Sequence, residues 1–296
     1  MKAASTGTLE IAYNEIGAAD GLPVVLLHGF PYDIHAYDKV AEILAASNHR
    51  CIVPFLRGFG STRFLSEHSP RSGEQAALGA DLLGLLDALS IETAILGGYD
   101  WGGRAACIVS ALWPSRVRGL VSCGVGYNIQ NIAQAGKPVP PEEEARYWYQ
   151  YYFHSDRGRR ALEENRRGVC EFIWKIWSPT WAFTRDTFDR TAASFENPDF
   201  VDIVVHSYRH RFGGTAGDPA LAEVEARLAK QPHILVPTIV LQGSDDGVDP
   251  PASVDDDERH FKAAYERRIV PGVGHNLPQE APEAFARAVL ELSRHS

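Results

Sequence analysis

Asp100 occupies a position where chemistry is expected. The stretch Leu96-Gly97-Gly98-Tyr99-Asp100-Trp101-Gly102-Gly103 follows a short apolar run at 93–96, and a helix-like segment at 104–113 then runs into Pro114. Small residues two before and two after a central residue, at a strand-to-helix turn, are the pattern of a strained elbow that exposes a nucleophile. A serine there would need a base before it could attack. A carboxylate, with an ordinary pKa of about 4, is already ionised at neutral pH. Its attack on an ester or amide would give a mixed anhydride, a poor exchange. Its attack on a saturated carbon bearing a strained or good leaving group gives a stable ester. The stretch therefore points to an alkylating substrate, such as an epoxide or an alkyl halide.

Three further stretches supply partners. His28-Gly29-Phe30-Pro31 ends the apolar run 23–27. The backbone N–H of Phe30 can serve a developing oxyanion together with that of Trp101. Leu241-Gln242-Gly243-Ser244-Asp245-Asp246 ends another apolar run, and an acid belongs there in the chain order nucleophile, acid, histidine. Spacing from Gly243 and to Pro250 favours Asp246, with Asp245 the alternative. Pro271-Gly272-Val273-Gly274-His275 follows the last strand-like segment, and Gly274 gives the chain freedom to aim His275 back at the elbow. His275 is expected as a base with an ordinary pKa near 6.5 if unperturbed. His28 is expected as a structural hydrogen-bonding partner at its turn.

These residues must be positioned by a frame. Strands are read at 23–27, 50–54, 93–96, 117–123 and 238–241, several of them buried apolar runs, with a last short strand at 267–270 and an edge strand at 9–15. Helices alternate with them at 37–46, 74–89, 104–113 and 282–294. That alternation implies an α/β fold with a mostly parallel sheet. Between 128 and 230 no buried-strand run occurs. Aromatic-rich helices are read at 142–153, 157–174, 185–193, 200–211 and 220–230. The chain thus divides into a core, 1–127 and 231–296, and an all-helical cap, 128–230. Net charge is −9 with no basic stripe, which argues against nucleic acid. No run approaches the ~20 apolar residues of a membrane span. The first residues lack a signal-peptide segment, and the four cysteines form no C-x-x-C pair. A cytoplasmic monomer or homodimer is expected.

Gly98-x-Asp100-Trp101-Gly102-Gly103 and His28-Gly29-Phe30-Pro31, taken with the acid and histidine loops, resemble the α/β-hydrolase superfamily in its aspartate-nucleophile branch. That branch includes epoxide hydrolases and haloalkane dehalogenases. By this resemblance Trp101, Phe30 and Pro31 line the substrate pocket, and no metal or cofactor is needed. Epoxide hydrolases also resemble Tyr149-Gln150-Tyr151-Tyr152-Phe153 and Ser207-Tyr208-Arg209, which implies that Tyr149 and Tyr208 are ring-opening acids for a small hydrophobic epoxide. The chain departs from that pattern at Tyr99, where a histidine is usual, and at Tyr32 and Asp33. Trp174, Trp177 and Trp181 keep a haloalkane dehalogenase as the alternative, and Arg104 is a partial match to the arginines that follow the nucleophile in fluoroacetate dehalogenases. A ligand sensor that retains the fold without catalysis is the non-enzyme alternative.

Overall fold

The computed structural model describes residues 1–251 and 257–294. Apolar runs form the centre of one nine-stranded sheet: β1 (Lys2–Ser5), β2 (Leu9–Ile16), β3 (Leu22–Leu27), β4 (His49–Pro54), β5 (Arg63–Phe64), β6 (Ala94–Gly98), β7 (Val117–Cys123), β8 (Thr238–Gly243) and β9 (Tyr265–Val270). The order is β1-β2-β4-β3-β6-β7-β8-β9, with β5 paired to β2. The pairs from β4 to β9 are parallel, and β1, β2 and β5 make antiparallel pairs at one edge. β1 and β5 escape a reading based on apolar runs because their residues are mostly exposed.

Helices α1 (Asp38–Ala45), α2 (Gln75–Ala88) and α3 (Asp100–Leu112) connect the first parallel strands. Between β7 and β8 the described chain holds helices and no strand: α4 (Pro141–Arg146), α5 (Trp148–Tyr152), α6 (Asp156–Trp177), α7 (Arg185–Ala192), α8 (Phe200–Arg211) and α9 (Ala222–Leu228). Helices α10 (Leu277–Glu280) and α11 (Pro282–Arg294) close the chain, α11 packing beside α1 while α2 packs beside α3. Chain order along the sheet reverses beside β3, so the loops leaving β3 and β6 flank a crevice of the kind that takes ligands.

Two helix boundaries differ from the sequence-based expectation for clear reasons. The helix after the elbow starts at Asp100 rather than Arg104, because Gly102 and Gly103 act as close-approach residues rather than helix breakers. A Cβ on Gly102 would lie 2.0 Å from the Leu27 carbonyl oxygen. The helix expected at 142–153 is broken at Tyr147 (φ −91°, ψ 13°), whose hydroxyl donates to Asp249 at 3.0 Å. Among the described residues, no helix is long and apolar enough to cross a membrane. All four cysteines are free and buried.

Candidate active site

Register brings the elements of the site together. Leu27 of β3 pairs with Gly98 of β6, so the two loops that follow leave the sheet side by side. Asp100 sits in the left-handed region (φ +49°), a costly conformation for a residue with a side chain. Its Oδ1 accepts a 2.6 Å hydrogen bond from the Phe30 amide, and its carbonyl accepts one from Asn128 Nδ2 at 2.7 Å. A Cβ at Gly29 would meet the Asp100 side chain at 2.5 Å, so this turn tolerates glycine alone. The Trp101 amide lies in the first turn of α3, where a helix leaves its N–H groups unpaired. His28 is buried and neutral: its Nε2 accepts from the Leu56 amide and its Nδ1 faces the Gly29 carbonyl, while burial holds its pKa down to about 4.

β8 and β9 pair as far as Gly243 and Val270, which sets the acid loop beside the histidine loop. His275 Nδ1 lies 2.9 Å from Asp246 Oδ2. Asp246 Oδ1 accepts from the amides of Val248 and Asp249 at 2.8 and 3.0 Å. Asp245 instead accepts from Ser244 Oγ, at 2.7 Å. His275 Nε2 is buried with no partner among the described residues. The amides of His275 and Asn276 donate to Ser178 Oγ at 3.0 and 3.3 Å, and Ser178 Oγ donates to Glu280 Oε1 at 2.7 Å. The inserted helices thus hold the histidine loop. Burial pulls the imidazole pKa down, but the charge and hydrogen bond of Asp246, then the charges of Asp100 and Asp249, outweigh it and push the value up to about 9. The ordinary value of the sequence-based reading does not apply, because three carboxylates surround one ring.

Tyr149 on α5 and Tyr208 on α8 are both buried, with ring centroids 5.4 Å apart and planes nearly perpendicular. Tyr149 Oη accepts from Gln150 Nε2 at 3.2 Å. Among the described residues, no group bonds the Tyr208 hydroxyl. Burial and the charge of Asp100 keep both phenols protonated well past neutral pH. Phe30 stacks on Trp101 at 5.5 Å and packs against Trp177 and Tyr208. Pro31 receives the Trp174 indole N–H on its carbonyl at 2.8 Å, which occupies that indole. The indole N–H groups of Trp101 and Trp177 are buried without partners.

A cavity of about 350 Å³ reaches Asp100, Tyr149 and His275. Phe30, Pro31, Trp101 and Tyr208 lie outside its lining. Its other walls include residues that no sequence motif flagged: Asn128, Gln130, Arg211 and Asp249. Nothing local in the sequence marks them, because they arrive from three separate places, the loop after β7 (Asn128 and Gln130), the end of α8 and the loop after β8. Away from the cavity, Glu74, His210 and Glu225 bring possible metal-ligand atoms within 4.8 Å of one another. Both carboxylates there already accept hydrogen bonds, from Ser72 and Asp218 and from Gln75 and Ala76.

A family model described as the alpha/beta hydrolase fold matches residues 23–282, and the chain belongs to that family. A crystal structure of a candidate epoxide hydrolase from Klebsiella pneumoniae shares 47% identity at a TM-score of 0.95, covering 99% of this chain and 97% of that one. Epoxide hydrolase 2 of Siraitia grosvenorii is 36% identical over 123 residues, which make up 42% of this chain and 38% of that protein. Epoxide hydrolase B of Mycobacterium tuberculosis is 31% identical over 160 residues, 49% of this chain and 44% of that protein. The chain thus spans less than half the length of these curated relatives.

Proposed function

We propose that the protein is an epoxide hydrolase, with residues 128–230 forming a helical cap over the core. The observation that carries this reading is the meeting of two buried phenols, Tyr149 from α5 and Tyr208 from α8, with Tyr149 lining the same cavity as Asp100. In the first step an Asp100 oxygen attacks an epoxide carbon. The ring C–O bond breaks, and the departing oxygen takes a proton from one of the tyrosines. An alkyl ester of Asp100 and a phenolate remain. In the second step neutral His275, oriented by Asp246, removes a proton from water, and the hydroxide adds to the ester carbonyl. The amides of Phe30 and Trp101 stabilise the resulting oxyanion. The acyl C–O bond then breaks, the departing alkoxide takes the proton held by His275 and leaves as the diol, and the carboxylic acid proton of Asp100 returns to the phenolate, which restores carboxylate and phenol. Phe30 already donates to Asp100, so this donor is in place before reaction.

A donor aimed at the opening oxygen is worth roughly 3–4 kcal/mol by analogy with one oxyanion-hole donor. Two phenols serving one oxygen are not additive. Each Tyr→Phe change should therefore slow single-turnover alkylation of Asp100 by styrene oxide by about ten- to a hundredfold, and the double change should remove nearly all of it. Near-normal alkylation by the folded double variant would overturn the ring-opening roles. A second reading, haloalkane dehalogenation, draws support from the unpartnered indoles of Trp101 and Trp177, which are suited to a halide. Release of halide from short haloalkanes, lost in Trp101→Phe, with no diol from epoxides, would favour it.

A further inference from the structure

The cavity is lined by two guanidinium groups that form no contact ion pair with a carboxylate among the described residues. Arg104, one turn after Asp100 on α3, is only 5% exposed. Its Nη2 donates to Asn128 Oδ1 at 3.1 Å, and its Nε is buried without any partner. Arg211, at the end of α8, lies over the Tyr208 ring with its guanidinium carbon 5.1 Å from the centroid. It faces the Gln130 side chain, whose oxygen accepts from it when that amide is turned over. Both arginines line the cavity that reaches Asp100, and Lys137 lines it too. Among the described residues, neither arginine forms an ion pair. The acidic residues that share the cavity are engaged elsewhere. Asp100 accepts from the Phe30 amide, Glu144 from the Val139 amide and the Tyr151 hydroxyl, and Asp249 from the Tyr147 hydroxyl.

A buried guanidinium with an unmet donor is costly, and the cost is greatest when a like charge stands nearby. Burial first, and then the charge of Arg211, hold the Arg104 pKa down to about 10, against a smaller opposing effect of the Asp100 charge. An anion placed between the two would meet the unpartnered donor and cancel the repulsion. Guanidinium groups bind carboxylate and phosphate oxygens through paired N–H donors.

We propose that the cavity takes epoxides carrying an anionic group, a carboxylate or a phosphate, held by Arg104 and Arg211 while the ring lies at Asp100. This deepens the epoxide hydrolase reading and rests on it. The small hydrophobic epoxide suggested by sequence resemblance would leave the Arg104 Nε donor unmet and the two like charges uncompensated by substrate.

The test compares glycidate, glycidyl phosphate and the neutral methyl ester of glycidate as substrates, read as diol formation. The predicted result is a kcat/KM at least tenfold higher for one of the anions than for the ester, and which anion wins distinguishes carboxylate from phosphate. The ratio of anion to ester kcat/KM should fall at least tenfold in Arg211→Gln and recover in part in Arg211→Lys. Arg104→Gln should lower the same ratio, and the half-buried position of Arg211 keeps the test available if the change at buried Arg104 fails to fold. An anion-to-ester ratio near one, or a ratio unmoved by Arg211→Gln, would overturn the proposal. Diol from styrene oxide but from none of the three would also overturn the proposal; if styrene oxide gives no diol either, the epoxide reading fails instead, and calorimetry with glycerate and methyl glycerate decides the anion site. Glycerate binding weakened at least tenfold by Arg211→Gln supports the site, and no glycerate binding refutes it.

Discussion

His275 carries the most consequential electrostatics of the site. With its pKa at about 9, the imidazole is protonated at neutral pH in the free protein, whereas the proposed hydrolytic step needs it neutral. Alkylation of Asp100 removes one of the charges that raises this pKa, so the ester form holds the proton less tightly. The substrate would thereby prepare its own base. The sign follows directly: hydrolysis of the ester should speed up as pH rises and level off above the His275 pKa of the ester form, below about 9. NMR titration should find His275 in the free protein near 9 and distinctly lower in Asp100→Asn, which mimics the uncharged ester. An unchanged titration in Asp100→Asn would show that Asp100 does not sense the imidazole. At this scale the sequence was informative about identities and silent about environment. Asp100, Asp246 and His275 stand in motifs that end strands, and spacing together with the chain order nucleophile, acid, histidine made them candidates, with Asp245 the alternative acid. Asn128, Arg211 and the Ser178–Glu280 pair, 102 residues apart, are joined only by tertiary contact and leave no periodic trace.

The elbow shows how an element enforces the geometry of its central residue. Gly98 and Gly102 are pressed so closely that a Cβ on Gly98 would lie 2.6 Å from the Gly102 carbonyl carbon, and one on Gly102 would meet β3 backbone. No flexible side chain is available to yield at either contact. Gly102→Ala should therefore destabilise the fold by about 3 kcal/mol or more, the upper part of the overpacking range, and lower Tm by roughly 6 °C. Thermal unfolding checks this, and a Tm within a degree of wild type would contradict the close packing. The central parallel strands were legible because burial on both faces makes them continuous apolar runs, whereas β9 at the edge is half-exposed and charged. Helix ends were less so: glycines read as loop proved helical at α3, and a tyrosine read as helical broke α4 from α5, because in each case a tertiary contact overrode local preference.

Across the whole molecule the inserted helices and the sheet share one hydrophobic core. Tyr149, Trp174, Phe195 and Tyr208 from the insertion belong to the same buried cluster as Phe30, Trp101 and Val121. Backbone bonds add to it, with Gly247 and His275 amides both donating to the Trp177 carbonyl. Calorimetry should accordingly show a single unfolding transition. Two resolved transitions would mean that the insertion melts as a separate unit. The central claim, that Asp100 is alkylated and His275 releases the product, is open to one direct measurement. His275→Gln should still open an epoxide, because a carboxylate needs no base to attack, but it should not free the ester. Intact-protein and peptide mass spectrometry after exposure to styrene oxide should show an adduct of one substrate mass on the peptide that carries Asp100. No adduct in a folded His275→Gln protein whose wild type forms diol, or an adduct on any other residue, would contradict the account.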